Sequence, residues 1–170
     1  MTSAASTDDP ASALGTVLDE DRGALPYQLI HGESLVACAA WALGEAGVRT
    51  LDLGTSWSVV VDSGEPFVVH DSLCPMTPAP FIAGCVERAV AGGVAVVGVG
   101  EAGTALSPVV LPAAVAAELA ALPSSDVAEL VRELESLGAV DRVVAPLSAA
   151  RVSSAADVAA LERLTAPESA

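Results

Sequence analysis

The residues best suited to chemistry lie in the middle of the chain, where a short apolar run ends in His70 and Asp71 and the loop 72–76 follows. The run 67–70 has the composition of a buried parallel strand. Ligands of open α/β sheets bind just outside the carboxyl ends of the strands. A carboxylate there can hold a divalent cation or accept a hydrogen bond from a sugar hydroxyl. The alternative, which the sequence alone favours, is that Asp71 caps the turn and His70 packs beside it.

The three cysteines, Cys38, Cys74 and Cys85, are too few and too widely spaced for a zinc site or a disulfide framework. Cys38 and Cys85 lie in apolar helical stretches, so we expect them to be buried. Cys74 and His70 are the residue types of a nucleophile and its base. Nothing in the sequence, however, places them within hydrogen-bond distance of each other and of a third, orienting group.

Short apolar strands alternate with helices along the chain. Strands are predicted over 14–18, 48–53, 58–61, 67–70, 94–99 and 140–145, and helices over 33–46, 78–91, 112–121, 125–137 and 155–164. Thr77 is the predicted N-cap of the second helix, and the fourth carries a single apolar stripe. The alternation predicts a mostly parallel sheet covered on both faces, which is a three-layer α/β/α domain.

Length and composition point to one folded domain. The 170 residues suit a single domain over 14–164, with a disordered tail over 1–13 and another over 165–170. A hydrophobic content of 52% excludes a chain that is disordered throughout. Because no apolar run is long enough for a membrane helix, and the first ten residues do not have the pattern of a secretory signal, we expect a cytoplasmic protein.

The charge is strongly acidic, with 22 acidic residues against 7 basic ones and a net charge of −15. All seven basic residues are arginines. Binding to DNA or RNA relies on cationic side chains that displace counterions from phosphates. A surface of this charge repels a polyanion, so the composition argues against a nucleic-acid-binding role.

The segment 67–78 resembles the "VHDAARP" strand-end motif of the methylerythritol-phosphate cytidylyltransferases, GT-A-like nucleotidyltransferases of isoprenoid synthesis. Weaker similarities occur in the family's order between residues 14 and 164; they lie at 25–35, 47–49, 92–99, 125–126 and 151–158. The resemblance implies a Rossmann-like, nucleotide-diphospho-sugar-transferase-like fold. It also implies transfer of a cytidylyl group, with Mg²⁺ as the cofactor of an active site.

The family's functional residues transfer to few positions of this chain. By resemblance, Asp71, Thr104 and Arg151 match catalytic positions, and Asp71 is also the expected metal ligand. By the same resemblance, Arg22 and Gly23 match the loop that binds the nucleotide.

The chain departs from the family where the triphosphate would bind. The family's Gly-rich loop, "AAGxGxRxGxxxPK", is replaced by the shorter segment 19–27, which has one glycine, three carboxylates and Tyr27 in place of the lysine. At about 5 Å and an effective dielectric constant of about 20, each carboxylate repels a phosphate charge by roughly 3 kcal/mol. Cys74 replaces the arginine of the "AARP" loop, and the segment 98–111 is too short for the arm that crosses the family's dimer.

Two functions remain open. We favour a degenerate cytidylyltransferase-like protein that is a non-catalytic binding or regulatory module, without a cofactor, and that meets a protein partner or a second copy through an apolar surface. Tyr27, Trp41 and Trp57 are candidates for that surface. The alternative is an active nucleotidyltransferase with a reduced site, in which Mg²⁺ on Asp71, with Asp19 or Asp21, serves transfer to a small phosphorylated substrate.

Overall fold

A six-stranded sheet forms the centre of the protein, in a computed structural model that describes residues 12–51 and 54–167. The strands of the described residues are β1 (Ala13–Leu18), β2 (Leu29–Ile30), β3 (Glu33–Ser34), β4 (Val48–Thr50), β5 (Phe67–Asp71), β6 (Ala95–Val99), β7 (Ala105–Leu111) and β8 (Val140–Val144). The α-helices are α1 (Leu35–Glu45), α2 (Trp57–Ser63), α3 (Ala79–Gly92), α4 (Ala113–Ala117), α5 (Val127–Leu137) and α6 (Ala155–Leu164).

The sheet is mostly parallel, as predicted, with the strand order β4-β1-β5-β7-β6-β8. Strand β1 pairs in parallel with both β4 and β5, and β6 pairs in parallel with β8. Strand β7 runs antiparallel between β5 and β6. The central sheet therefore has one antiparallel strand, β7, beside β5. Strands β2 and β3 form a separate hairpin.

Helices cover both faces of the sheet. Helices α1 and α3 pack on one face, around Ile82 and Val96, while α2, α4 and α5 pack on the other, around Phe67 and Leu130. Helix α6 packs instead against the β2–β3 hairpin. The predicted three-layer α/β/α architecture is therefore confirmed.

The predicted apolar stripe of the fourth helix is the buried face of α5. Val127, Leu130, Val131 and Leu134 are all buried there, whereas Leu137, the last residue of the predicted stripe, is exposed. The N-cap of the helix is Asp126, whose side chain accepts a hydrogen bond from the backbone N–H of Glu129. An N-cap of this kind satisfies a backbone donor that would otherwise lack a partner. Local pattern and capping chemistry agree here, which explains why this helix is easy to predict.

Two local predictions were wrong, and one strand of the central sheet was missed, as were the two short strands of the β2–β3 hairpin. The segment 58–61 is not a strand but part of α2, because Val60 is buried against the sheet core and the Trp57 indole donates to the carbonyls of Ala116 and Leu119. The side chain of Thr77 donates to the Cys74 carbonyl and does not cap α3.

The missed strand of the central sheet is β7, which contains Pro108. A proline inside an apolar run argues against a strand. Here Pro108 lies where the register between β6 and β7 shifts, between the pairs Val97–Val109 and Val99–Ala105. Irregular positions of this kind tolerate proline because the regular ladder of hydrogen bonds is interrupted.

Some predictions fall partly outside the described residues. The proposed tail 1–13 lies outside them except for residues 12 and 13, and Ala13 already belongs to β1. Of the tail 165–170, residues 168–170 also lie outside them, and β4 ends at Thr50, before the undescribed positions 52 and 53. In the described segments, none of the helices has the length and apolar character needed to cross a membrane.

We predict that Gly15→Ala destabilises the fold. A Cβ at Gly15 would lie 2.6 Å from Val48 Cγ1 and 2.8 Å from the Val68 carbonyl oxygen, so β1 has no room for it between β4 and β5. Overpacking of this kind costs about 1–3 kcal/mol of unfolding free energy. Urea unfolding should show a lower midpoint at an unchanged m-value.

Gly44→Ala is the matched control, because a Cβ at Gly44 in α1 would meet nothing within 4 Å. Alanine should stabilise that helix by about 0.5–1 kcal/mol. A Gly15→Ala protein as stable as the unsubstituted one would contradict the close packing of β1 against β4 and β5.

Candidate functional site

The Asp71 carboxylate lies at the carboxyl end of β5 and is only 2% exposed. Strands β1 and β5 are parallel with Leu18 beside Asp71, so the loop after β1 leaves the sheet next to this carboxylate. Asp71 Oδ1 accepts a hydrogen bond from the backbone N–H of Leu73 (2.9 Å), which caps the turn after the strand. The Asp71 backbone N–H donates to Ser107 Oγ of β7 (3.0 Å).

Two arginines from distant parts of the chain face this carboxylate. Arg22 binds the carboxylate in a bidentate manner: Nε donates to Asp71 Oδ1 (2.9 Å) and Nη2 donates to Oδ2 (3.3 Å). Arg151 forms an ion pair with the same Oδ2, with its Nη2 at 2.9 Å. Both oxygens of Asp71 are therefore occupied by charge-assisted contacts, which are the stronger class of polar contact in proteins.

Backbone carbonyls hold the two arginines in place. Arg22 donates to the carbonyl of Glu20 (2.6 Å) and to that of Ser125 (2.9 Å), just before α5. Arg151 approaches the carbonyls of Ala105 and Leu106 in β7, at 3.5 and 3.3 Å. Most of the guanidinium donors thus have protein partners, and the contacts join the loop after β1, the start of α5 and the segment before α6.

A cavity of about 400 Å³ opens beside this cluster. Its lining carries two guanidinium groups and four carboxylates; these belong to Arg22, Arg151, Asp21, Asp71, Asp126 and Glu129. With all six groups ionised, the lining has a net charge of −2. Leu73, Val127 and the two serines before α5 complete the wall. The cavity is polar and slightly anionic, although it contains both arginines.

His70 is fully buried beside Ser107, with its Nδ1 2.5 Å from the Ser107 Oγ. Burial lowers the pKa of His70 from 6.5 to about 4, and the nearby Asp71 charge only partly opposes this shift. The imidazole is therefore neutral at physiological pH. His70 contacts the Ser107 hydroxyl, and that hydroxyl accepts a hydrogen bond from the Asp71 backbone N–H. His70 is therefore linked to the site through Ser107.

The hypothesis of a Cys74 nucleophile finds no support in this geometry. Cys74 is fully buried, and burial raises the pKa of its thiol to about 12 despite the opposing charge of Arg151. A thiol in this state is protonated at neutral pH and unreactive. His70, the expected base, pairs with Ser107 instead.

The structure brings together three of the five residues that the sequence singled out. Arg22, Asp71 and Arg151 form the cluster, whereas Thr104 is exposed in the turn between β6 and β7 and does not line the cavity. Gly23 is exposed in the loop after β1, with φ +60°, and does not line the cavity either. The catalytic and binding roles assigned to these residues stay predictions.

Sequence reasoning missed Ser107, which links His70 to the Asp71 backbone. Its strand, β7, was not recognised, so nothing placed it beside β5. Ser125 and Asp126 were noted only through a weak motif similarity, yet they line the same cavity as Asp71. A serine followed by an aspartate at a helix start was the available signal for that wall.

Asp71 does not fit a divalent cation in this arrangement. A cation site needs several free oxygen ligands, and both oxygens of Asp71 already contact guanidinium groups. Throughout 12–51 and 54–167, no cluster of three or more His, Cys, Asp or Glu side chains is placed to hold a metal ion. That includes Asp19 and Asp21, which do not join Asp71 in such a cluster.

The candidate surface residues differ in exposure. Tyr27 and Trp41 are exposed, whereas Trp57 is half-buried and stacks edge-on against Phe67, with ring centres 5.1 Å apart. Of the two cysteines expected to be buried, Cys85 is buried and Cys38 only partly so. Trp57 therefore belongs to the core, and Tyr27 and Trp41 remain available to a partner.

Solved structures with similar folds cover almost the whole chain. The 4-diphosphocytidyl-2C-methyl-D-erythritol synthase of Anaerococcus prevotii has a TM-score of 0.60 at 10% identity, over 92% of this chain and 99% of its own. The 2-C-methyl-D-erythritol 4-phosphate cytidylyltransferase of Thermus thermophilus has a TM-score of 0.58 at 17% identity, over 91% and 98%. A Mycobacterium tuberculosis protein, solved in complex with manganese, has a TM-score of 0.62 at 13% identity, over 89% and 98%.

The chain has the nucleotidyltransferase fold of the cytidylyltransferases. This confirms the resemblance seen in the sequence at the level of the fold. No protein-family model matches the sequence, and no curated protein matches it. Identities of 10–17% establish shared architecture, while activity has to be argued from the site itself.

We predict that removing both arginines strongly destabilises the protein. Arg22→Met with Arg151→Met leaves the buried Asp71 charge without a cation, which costs about 3–5 kcal/mol. Arg49→Met is the matched control, because the Arg49 side chain is 65% exposed in its pair with Glu65. Loss of that pair should cost under about 1 kcal/mol. Chemical denaturation measures the unfolding free energy of both variants.

Adding Asp71→Asn to the double arginine variant should recover part of the lost stability, because the neutral amide removes the uncompensated charge. A triple variant no more stable than the double one would show that the arginines contribute through packing and not through the charge of Asp71.

We also predict that His70 makes the stability depend on pH. Because its folded-state pKa is lowered to about 4, the unfolded chain binds more protons between pH 4 and 6.5. The unfolding free energy therefore falls as the pH drops through that window, by up to about 3 kcal/mol. His70→Gln should remove this component, while His31→Gln, at an exposed position, should keep it. Equal pH slopes for the two variants would contradict the buried neutral imidazole.

Proposed function

We propose that the protein is a non-catalytic binding or regulatory module built on the cytidylyltransferase fold. The observation that carries this proposal is the Arg22–Asp71–Arg151 cluster. In this arrangement the cations at the carboxyl end of β5 are neutralised by a side chain of the protein itself. They are therefore less available to the phosphates of a nucleotide.

The lining of the cavity supports the same conclusion. Its four carboxylates outnumber its two guanidinium groups. Transfer of a nucleotidyl group expels pyrophosphate, whose negative charge must be stabilised as the bond breaks. A lining with a net negative charge opposes both the binding of a triphosphate and the departure of pyrophosphate.

The loop after β1 adds to this repulsion. Glu20 and Asp21 are exposed there, and Asp19 is half-buried with an oxygen 3.4 Å from the Tyr27 hydroxyl. Phosphate-binding loops work by aiming backbone N–H groups at the anion. In this loop the Glu20 carbonyl is directed at Arg22 instead. The loop thus supplies carboxylates and a carbonyl where a phosphate cradle needs donors.

The proposal includes a protein partner or a second copy of the chain as the bound species, no cofactor, and a cytoplasmic location. For a partner other than a second copy, a net charge of −15 favours a positively charged protein over a nucleic acid. The exposed aromatic residues Tyr27 and Trp41 supply apolar contact area for such a partner.

An active transferase is the second candidate, and the cavity beside Asp71 is the observation that favours it. About 400 Å³ at the carboxyl ends of β1 and β5 is enough for a small phosphorylated substrate. If Arg22 and Arg151 turned from Asp71 toward a substrate phosphate, they could hold it. That rearrangement would leave the buried Asp71 charge uncompensated unless a metal ion replaced them.

Nucleotide binding distinguishes the two candidates. We expect no change in melting temperature when the protein is titrated with CTP, or with the other nucleoside triphosphates, in the presence of Mg²⁺. A ligand at 100 times its Kd stabilises a protein by about 2.7 kcal/mol, which amounts to several degrees for a domain of this size. Release of pyrophosphate, measured with a coupled assay on a mixture of CTP and phosphorylated polyols, should stay at background.

Asp71→Asn is the matched variant for this experiment, since it keeps the shape of the side chain and removes its charge. A CTP-dependent shift that is present in the unsubstituted protein and lost in Asp71→Asn would overturn the non-catalytic proposal. The circular dichroism spectrum of the Asp71→Asn variant is measured first, to confirm that the variant folds.

A further inference from the structure

A second cavity, of about 580 Å³, lies between α1 and the loop that leads into α3. We call it the apolar groove. Its walls include Cys38 and Trp41 of α1 and Pro75, Met76 and Pro78 of the loop. No residue of this lining also lines the cavity beside Asp71. The groove is therefore a separate cavity from the one beside Asp71, although it shares Trp41 with the surface proposed above for a partner.

Trp41 is the most unusual residue of the apolar groove, since its side chain is 68% exposed. Ala37, Cys38 and Ala42 surround it on the same helix and are small, so they leave the indole face accessible. Covering an exposed tryptophan removes a large apolar area from water. A surface of this size and composition matches small-molecule sites, which measure about 300–1,000 Å³ and are mainly apolar.

The lining of the apolar groove carries an acidic residue and no basic one. Glu33 contributes its carboxylate to the lining, and no basic residue lines the groove. Burial, and to a smaller extent the Glu33 charge, raises the pKa of the Cys38 thiol, which belongs to the same lining. The thiol stays neutral, so Glu33 supplies the only formal charge of the lining at neutral pH.

We propose that the apolar groove binds an apolar organic cation, that is, an ammonium group carried on a hydrocarbon body. The hydrocarbon body packs against Met76 and the two prolines, while the ammonium group lies between the Trp41 ring and the Glu33 carboxylate. Aromatic faces attract cations through the quadrupole of the ring, and tryptophan is the strongest of the aromatic residues in this respect. The strongly acidic surface of the whole protein favours a positively charged ligand.

Three compounds of nearly equal size test the proposal: 3-phenylpropylamine is a cation at pH 7, 3-phenylpropan-1-ol is neutral and 3-phenylpropanoate is an anion. Binding is measured by the intrinsic tryptophan fluorescence and by protection of Cys38 from iodoacetamide, read by mass spectrometry. Cys38 suits this purpose because Cys74 and Cys85 are buried. We expect a Kd on the order of 1 mM for the amine, given its size, roughly fivefold weaker binding of the alcohol, and none of the carboxylate.

Variants assign the effect to the groove. Trp41→Ala should abolish binding of the amine, and Tyr27→Ala, at another exposed aromatic residue outside the groove, should leave it unchanged. Glu33→Gln should make the amine and the alcohol bind equally well. Glu45→Gln, at the exposed end of α1 and outside the lining, should keep the fivefold preference.

Three results would overturn the proposal. The first is equal affinity for all three compounds, or an affinity that Trp41→Ala leaves intact. The second is a Trp41 that acrylamide cannot quench, together with a dimer that becomes a monomer in Trp41→Ala, which would make the groove an interface between copies. The third is a Leu/Lys helical peptide that protects Cys38 at concentrations a hundredfold below those of the amine, which would make the groove a protein-docking surface.

Discussion

The contact between Asp71 and its two arginines is the interaction on which the site depends. A carboxylate that is 2% exposed would be very costly without a cation, and here two guanidinium groups share it. Arg22 follows the first strand and Arg151 precedes the last helix, so the contact joins both ends of the described chain at the end of β5. Burying this charge and ordering these two segments are therefore coupled.

The same contact explains why the fold does not determine the activity. The fold is similar to that of the solved cytidylyltransferases, and the cavity lies at the carboxyl ends of the strands, where ligands of open α/β sheets bind. What such chemistry needs beyond the scaffold is positive charge that is free to meet phosphates. In this protein that charge is compensated internally, and the surrounding loop is acidic. The fold is thus similar to that of nucleotidyltransferases, while the lining of the cavity beside Asp71 has a net charge of −2 with its six charged groups ionised.

The turn after β5 lies between the two cavities of the protein. Asp71 and Leu73 line the polar cavity, and Pro75 to Ala79 line the apolar groove. The turn is fixed at several points: Asp71 accepts from Leu73 N–H, Thr77 donates to the Cys74 carbonyl, and Val152 N–H donates to the Leu73 carbonyl. One short, well-anchored segment thus contributes to the walls of two cavities, one lined by charged residues and one mainly apolar.

Much of the framework could be predicted from the sequence. Local patterns report features that depend only on neighbouring residues. Such features are the apolar stripe of α5, the apolar runs of β5 and β6, and the position of Asp71 at a strand end. The helix α2 and the strand β7 could not be predicted in this way. A short apolar run becomes helix or strand according to what it packs against, and Pro108 argued locally against a strand that the sheet accommodates at a shift in register.

The candidate site likewise has features that the sequence reports and features that it does not. The sequence alone determined which charges exist: a carboxylate after an apolar strand, few arginines, and an acidic loop where a glycine-rich one would be expected. It is the packing of the whole chain that brings Arg22 and Arg151, 129 positions apart, to the same carboxylate of Asp71. Pairing of charges depends on which loops meet at the edge of the sheet, and that follows from strand order and burial, which no local segment of sequence encodes.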